Sequence, residues 1–160
     1  MKITARRAGQ EDIPALLDLY RGLEEEMTAL HSMWPLADGL AEPVETSFRA
    51  LLGDPDNVVI VGELDGYPFG FVWARVEQIL PQAGGVEVGS IRLIYVAPGA
   101  REVSLGEEMR DYTMDLLRER GISRFDAHVL PGHRLAKNFF EAGGFSARSI
   151  IMHHDDARDR

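Results

Sequence analysis

The sequence predicts an α/β domain: a mixed sheet with helices packed on its faces. Three observations carry this reading. Apolar residues recur at helical spacing in two long segments, one from Asp12 to Met27 and one over 104–120. Two strand-like runs flank Asp65-Gly66, the turn chemistry of a β-hairpin. In the second half of the chain, strand-like runs alternate with helical ones.

Taken in order, residues 2–8 form a short strand. Ile13, Leu16, Leu17, Tyr20, Leu23 and Met27 then fall on one helical stripe, and Pro14 sits in the first turn, where its missing N–H is tolerated. A less regular stretch with His31, Trp34 and Pro35 leads to a short helix near 44–52. The hairpin runs over 58–64 and 67–76, and strand alternation places Phe69, Phe71 and Trp73 on one face. A loop at 81–85 leads to a strand at about 86–96. The helix at 104–120 buries Leu105, Met109, Tyr112, Leu116 and Leu117, and Ser104 followed by Glu107 is a capping-box pattern. Gly121 ends that helix. A strand (122–130), a helix (134–142) and a last strand (144–152) complete the order.

With 160 residues and no repeat or linker, 1–154 reads as one domain, with a charged C-terminal tail at 155–160. The absence of cysteine excludes disulfides, thiolate metal sites and a cysteine nucleophile. A net charge of -9 disfavours a nucleic-acid binder, which needs a basic face. There is no long apolar run, so no membrane association is expected and a cytoplasmic location is. His153, His154, Asp155 and Asp156 do not read as a metal site, because adjacent residues on a strand point to opposite faces.

The chemistry concentrates in IRLIYVAPGAREVSLGEEM, residues 91–109, where a strand runs through a turn into a helix N-terminus. Free backbone N–H groups and the helix dipole favour an anion there. Gly106 allows close approach to the backbone, Arg101 adds charge and Ser104 adds a hydroxyl donor.

The pattern Val96-x-Pro98-x-x-Arg101, followed by Gly106, resembles the coenzyme A pyrophosphate loop of the GNAT N-acetyltransferase superfamily. Ala136, Phe139, Phe140, Glu141, Gly144 and Phe145 resemble its second signature, A-x-x-F-Y-E-x-x-G-F. The opening RRAGQEDIPALLDLY and the order of the strands are also similar, so the resemblance covers nearly the whole chain. It implies a mostly antiparallel sheet of six to seven strands, about four helices, and a splay between the fourth and fifth strands. It also implies acetyl-CoA as acyl donor, no metal, a small-molecule or peptide amine as acceptor, and leaves a homodimer open. The cofactor would contact Ile94 and Val96 on the splayed strand. Its pyrophosphate would lie on Arg101, Glu102, Val103, Ser104, Leu105 and Gly106. The second signature would add Ala136, Phe139 and Phe140. His133 stands where the family often has a pantetheine-contacting asparagine; a helix-start histidine without a ligand is the alternative. His31 and Trp34 fall in the region lining the acceptor pocket, with a core role for Trp34 as the alternative.

Glu102 and Ser104 replace two family glycines, which weakens the expected coenzyme A binding. Phe140 replaces the tyrosine that serves as general acid. Tyr95 is a substitute acid or a packing residue. His128 is a candidate general base, since histidine titrates near neutrality; the alternative is a hydrogen-bonded strand residue. The implied function is transfer of acetyl from acetyl-CoA to a primary amine by direct attack. The alternative is a catalytically impaired acyl-CoA-binding or regulatory module on the same fold.

Overall fold

The computed structural model describes residues 1–36 and 38–157, so residues 158–160 of the charged tail lie outside it. Its elements are β1 (Ile3–Arg7), α1 (Ile13–Leu30), α2 (Val44–Gly53), β2 (Asn57–Leu64), β3 (Tyr67–Gln78), β4 (Glu87–Val96), α3 (Leu105–Glu119), β5 (Phe125–Ala127) and α4 (Arg134–Ala142). The sheet has five strands in the order β1-β2-β3-β4-β5. Neighbours from β1 to β4 are antiparallel, and β4 and β5 are parallel. Among the described residues no helix is long and apolar enough to cross a membrane.

Each face of the sheet carries its own core. On one, Leu16, Tyr20 and Leu23 of α1 and Phe48 of α2 pack on Val59, Val61, Phe71, Trp73, Leu93 and Tyr95. On the other, Leu105, Met109 and Leu117 of α3 and Phe140 of α4 pack on Ile60, Val72, Ala74 and Ile91. The start of α1 is tied to β1 because Asp12 accepts hydrogen bonds from both Arg6 guanidinium ends (each 2.8 Å) and from the Gly9 N–H (2.8 Å).

Two β-bulges reset the side-chain alternation. In the β2–β3 ladder, Gly62 faces Gly70 but Glu63 faces Pro68, so Phe69 has no opposite residue. The extra residue moves Phe69 to the α3 face, while Phe71 and Trp73 stay on the α1 face. The expectation that these three share a face is therefore corrected. In the β3–β4 ladder, Trp73 faces Leu93 and Ala74 faces Ile91, which leaves Arg92 as the extra residue.

The expected strand count is also corrected: among the described residues the sheet has five strands, not six to seven. The strand expected at 122–130 is formed only over Phe125–Ala127, and the one expected at 144–152 is not formed. A strand needs a partner ladder as well as apolar residues. Ile150, Ile151 and Met152 lie exposed, and the segment is held to β5 through side chains, with Arg148 pairing Asp126 (2.8 Å).

Candidate active site

The β4–β5 contact is short, and its shortness leaves the end of β4 with an open edge. The strands pair at Gly89–Phe125, Ser90–Asp126 and Ile91–Ala127, and the ladder closes with the His128 N–H donating to the Ile91 carbonyl (3.0 Å). Beyond Ile91, β4 continues to Val96 while β5 has ended, so the strands part. This is the splay expected between the fourth and fifth strands.

The Arg92 bulge decides which backbone groups face the gap. Before it, the Gly89 N–H points to β5, donating to the Arg124 carbonyl. After it, the Ala97 N–H donates to Phe69 on the β3 side (2.7 Å). Strand alternation then turns the backbone groups of Ile94 and Val96 toward the open edge. Their side chains join the α3-face core, as does that of Val103. Tyr95 is buried on the opposite face, with its hydroxyl beside Gly22 of α1, where an added Cβ would lie 2.7 Å away. Burial raises the Tyr95 pKa; the Glu26 carboxylate raises it further and Arg101 opposes.

The turn after β4 leads through residues 98–104 into α3. Ser104 precedes the helix in the left-handed region, φ 63°, with no side-chain cap hydrogen bond. The expected Ser104–Glu107 capping box is therefore absent: a residue folded back to the left cannot aim its hydroxyl into the first turn. Glycine adopts this conformation without the Cβ penalty. Ser104→Gly should relieve about 1–2 kcal/mol of that penalty, offset by about 0.4–1 kcal/mol of extra freedom in the unfolded chain. The expected result is a melting temperature raised by about 1–4 °C in calorimetry; a fall would mean that the hydroxyl is needed in the folded turn.

Glu102 is exposed, as are Glu107 and Glu108, while Leu105 is fully buried and anchors the loop. Gly106 faces the Phe139 ring, where a Cβ would lie 3.2 Å from Cε2. Arg110 stacks on the same ring at 4.7 Å and donates to the Phe139 carbonyl (3.1 Å). Phe140 is buried between Phe139 and Phe145, with ring centroids 5.0 and 5.3 Å away. Ala136 is half-buried on α4. Arg101 turns back from the loop: its Nε donates to the Val96 carbonyl (2.9 Å), its Nη2 pairs with Glu26 of α1, and it stacks on Tyr95 at 5.7 Å. His133 sits at the start of α4, where burial holds its pKa below the ordinary value; Glu26 opposes this and Arg101 assists it.

On the α1–α2 side lies a cavity of about 550 Å³ lined by Tyr20, Glu24, Thr28, Trp34, Asp38 and neighbouring residues. Trp34 is both a core residue and a wall of this cavity. His31 ends α1, its Nδ1 accepting the Met33 N–H (3.0 Å). The loop at 38–40 is pinned to α1 by the Leu40 N–H donating to the Tyr20 hydroxyl (2.9 Å). That anchor presents Asp38 to the sheet. Asp38 Oδ2 meets His128 Nδ1 at 2.9 Å, and Oδ1 accepts from Arg92 Nε and Nη2 at 2.9 and 2.6 Å. Arg92 also pairs with Glu77 (2.6 Å) and stacks on Trp73 at 5.6 Å. Burial works against ionisation of Asp38, but the hydrogen bonds from His128 and Arg92 outweigh it and hold its pKa below the usual carboxylate value.

The sequence offers His128 as a candidate, and the structure adds Asp38 beside it, which the sequence did not mark. The signal was an arginine inside the apolar strand IRLIYV, which needs an acid once half-buried. His153 and His154 are not on a strand, so the alternation argument against a metal does not apply to them; His154 pairs with Asp156 at 2.8 Å. Among the described residues no group of three or more His, Cys, Asp or Glu is placed to hold a metal.

Residues 17–145 match the family model described as the acetyltransferase (GNAT) family. A mycothiol acetyltransferase from Beutenbergia cavernae is 32% identical over 86 residues, which are 54% of this chain; the chain spans only about a quarter (27%) of that relative's length. A structure of a transcriptional regulator from Bacillus halodurans C-125 superimposes with a TM-score of 0.76 at 19% identity, covering 96% of this chain and 100% of that one. The structure of AAC(6')-Iy in complex with the bisubstrate analog CoA-S-monomethyl-acetylneamine superimposes with a TM-score of 0.74 at 15% identity, covering 97% and 99%. At such identities the superpositions speak for the fold, and the family match over most of the sequence speaks for descent: this chain, with its parted β4 and β5 and its loop leading into α3, belongs to the GNAT acetyltransferase family.

Proposed function

We propose that the chain is an N-acetyltransferase that moves an acetyl group from acetyl-CoA to a primary amine by direct attack, with no covalent enzyme intermediate. The observation that carries this is the gap where β4 outruns β5, with the α3 loop at its end and His128 at its mouth. That one structural neighbour is bound to a coenzyme A bisubstrate analogue supports the same reading.

The residues present fit a pantetheine diphosphate. Ile94 and Val96 turn backbone donors and acceptors into the gap, and the turn into α3 offers backbone N–H groups for the pyrophosphate. Glu102 is exposed and does not fill the loop. Acetyl-CoA, as co-substrate, would supply the thioester carbon and a thiolate leaving group. The Ile94 N–H would polarise the carbonyl, a form of oxyanion stabilisation. His128 would take the ammonium proton of the acceptor, freeing the lone pair that forms the C–N bond as the C–S bond breaks. Phe140 can give no proton, so the thiolate would be protonated from solvent or from His128. The cavity walled by Tyr20, Thr28 and Trp34 would hold the acceptor.

A second reading, a coenzyme A-binding module without turnover, is favoured by one observation. Arg101 already occupies the Val96 carbonyl and pairs with Glu26, so a ligand would have to displace it. Thermal shift with acetyl-CoA and desulfo-CoA, followed by thiol release across a panel of polyamines, amino acids, aminoglycosides and N-terminal peptides, separates the two. At 100 times Kd, binding should stabilise the fold by about 2.7 kcal/mol. Stabilisation with thiol release supports the enzyme, and stabilisation without it supports the module. No shift with either ligand would overturn both.

A further inference from the structure

We propose that Asp38 is a positioning residue: it fixes the His128 ring with the proton on Nδ1, so that Nε2 is the nitrogen that takes the proton of the acceptor amine. This rests on the reading of His128 as base and adds the group that makes it one.

The geometry is directional. The His128 ring is half-exposed, at 40%, and on its own would be free to rotate. The Asp38 side chain is only 9% exposed and cannot rotate, because Oδ1 is held by two nitrogens of Arg92. Arg92 is fixed in turn by Glu77 and by the Trp73 ring, and Trp73 by its Nε1–H donating to Asn57 (2.8 Å). Only Oδ2 remains for the imidazole, and it meets Nδ1 at 2.9 Å. A carboxylate can only accept, so Nδ1 must carry a hydrogen. Nε2 is then the basic nitrogen of the neutral ring. When it takes a proton, the ionised Asp38 carboxylate stabilises the imidazolium that forms.

The arrangement also joins the two halves of the site. Asp38 lines the acceptor cavity, and His128 extends the strand whose ending opens the gap. The Arg92 bulge serves both: it puts Arg92 on the α1 face beside Leu93, within reach of Asp38, and it turns Ile94 toward the gap.

The test begins with the unaltered protein. Long-range ¹H–¹⁵N correlation on histidine-labelled protein, recorded at alkaline pH so that the ring is neutral and with His128 assigned from the His128→Gln spectrum, should show Nδ1 carrying the hydrogen and Nε2 bare. A ring protonated on Nε2 would overturn the proposal without any variant having to fold. Asp38→Ala should release the ring to the Nε2–H form. It should also lower kcat for thiol release, with the best amine of the panel, by about 10- to 100-fold. The KM for acetyl-CoA should stay within about twofold, because no contact to the α3 loop is lost. An Asp38→Ala protein with unchanged tautomer and unchanged kcat would also overturn the proposal. If His128→Gln retains the wild-type kcat, the base assignment falls, and the catalytic meaning of Asp38 falls with it whatever the tautomer.

Discussion

His128→Gln is expected to lower kcat for thiol release by about 10²–10⁴-fold, the usual worth of a positioned general base. Glutamine is close in size and can still accept a hydrogen bond, but it cannot hold a proton at neutral pH. The loss should fall on kcat, and the thermal shift with desulfo-CoA should be unchanged. The reason is spatial: His128 lies on the α1–α2 side of the gap against Asp38, whereas the loop into α3 lies at the far end of β4. The melting temperature should change little, since the ladder bond from His128 to Ile91 is a backbone bond that the substitution keeps. A variant within threefold of wild type in kcat would remove His128 from the mechanism.

Gly70→Val should have the largest effect on stability. Gly70 faces Gly62 across the β2–β3 ladder, and Met109 of α3 lies over both. A Cβ on Gly70 would lie 2.7 Å from Met109 Cε and 2.8 Å from the Tyr95 carbonyl oxygen. The methionine can move, because its side chain is flexible. The carbonyl cannot, because it is backbone of β4, paired with β3 at this level. Overpacking that must shift backbone costs at the upper end of the usual range, about 3 kcal/mol, and should lower the melting temperature by roughly 6–12 °C. Because the obstacle is β4 itself, next to Val96, the variant should also lose affinity for acetyl-CoA in the thermal-shift assay. A melting temperature within 2 °C of wild type would show that β4 yields at Tyr95.

The two substitutions flank β4 from opposite sides, Gly70 on β3 and His128 just past β5. Gly70 governs where the end of β4 lies, and the Arg92 bulge governs which of its backbone groups face the gap. His128 meets Asp38 at the point where β5 stops, and on the proposed reading that pair handles the proton. The acidity of the chain does not by itself create a cation site here: Asp38 is already paired with Arg92 and His128, and Glu24 with Arg21.

By itself the sequence determined the two long helices, the hairpin and the helix at 134–142, because these are written in local periodicity and turn chemistry that a few successive residues settle. It also marked the loop into α3 and singled out His128. Only the tertiary structure decided the face of Phe69, the bulge at Arg92, the left-handed Ser104 and the missing last strand. Each depends on a partner outside the local pattern: an extra residue opposite one on the next strand, or a strand edge that must be long enough to pair. Asp38 is the clearest case. It lies 54 residues from Arg92 in an irregular loop, and no spacing rule links a loop carboxylate to a histidine just past β5 until the sheet and α1 have brought them together.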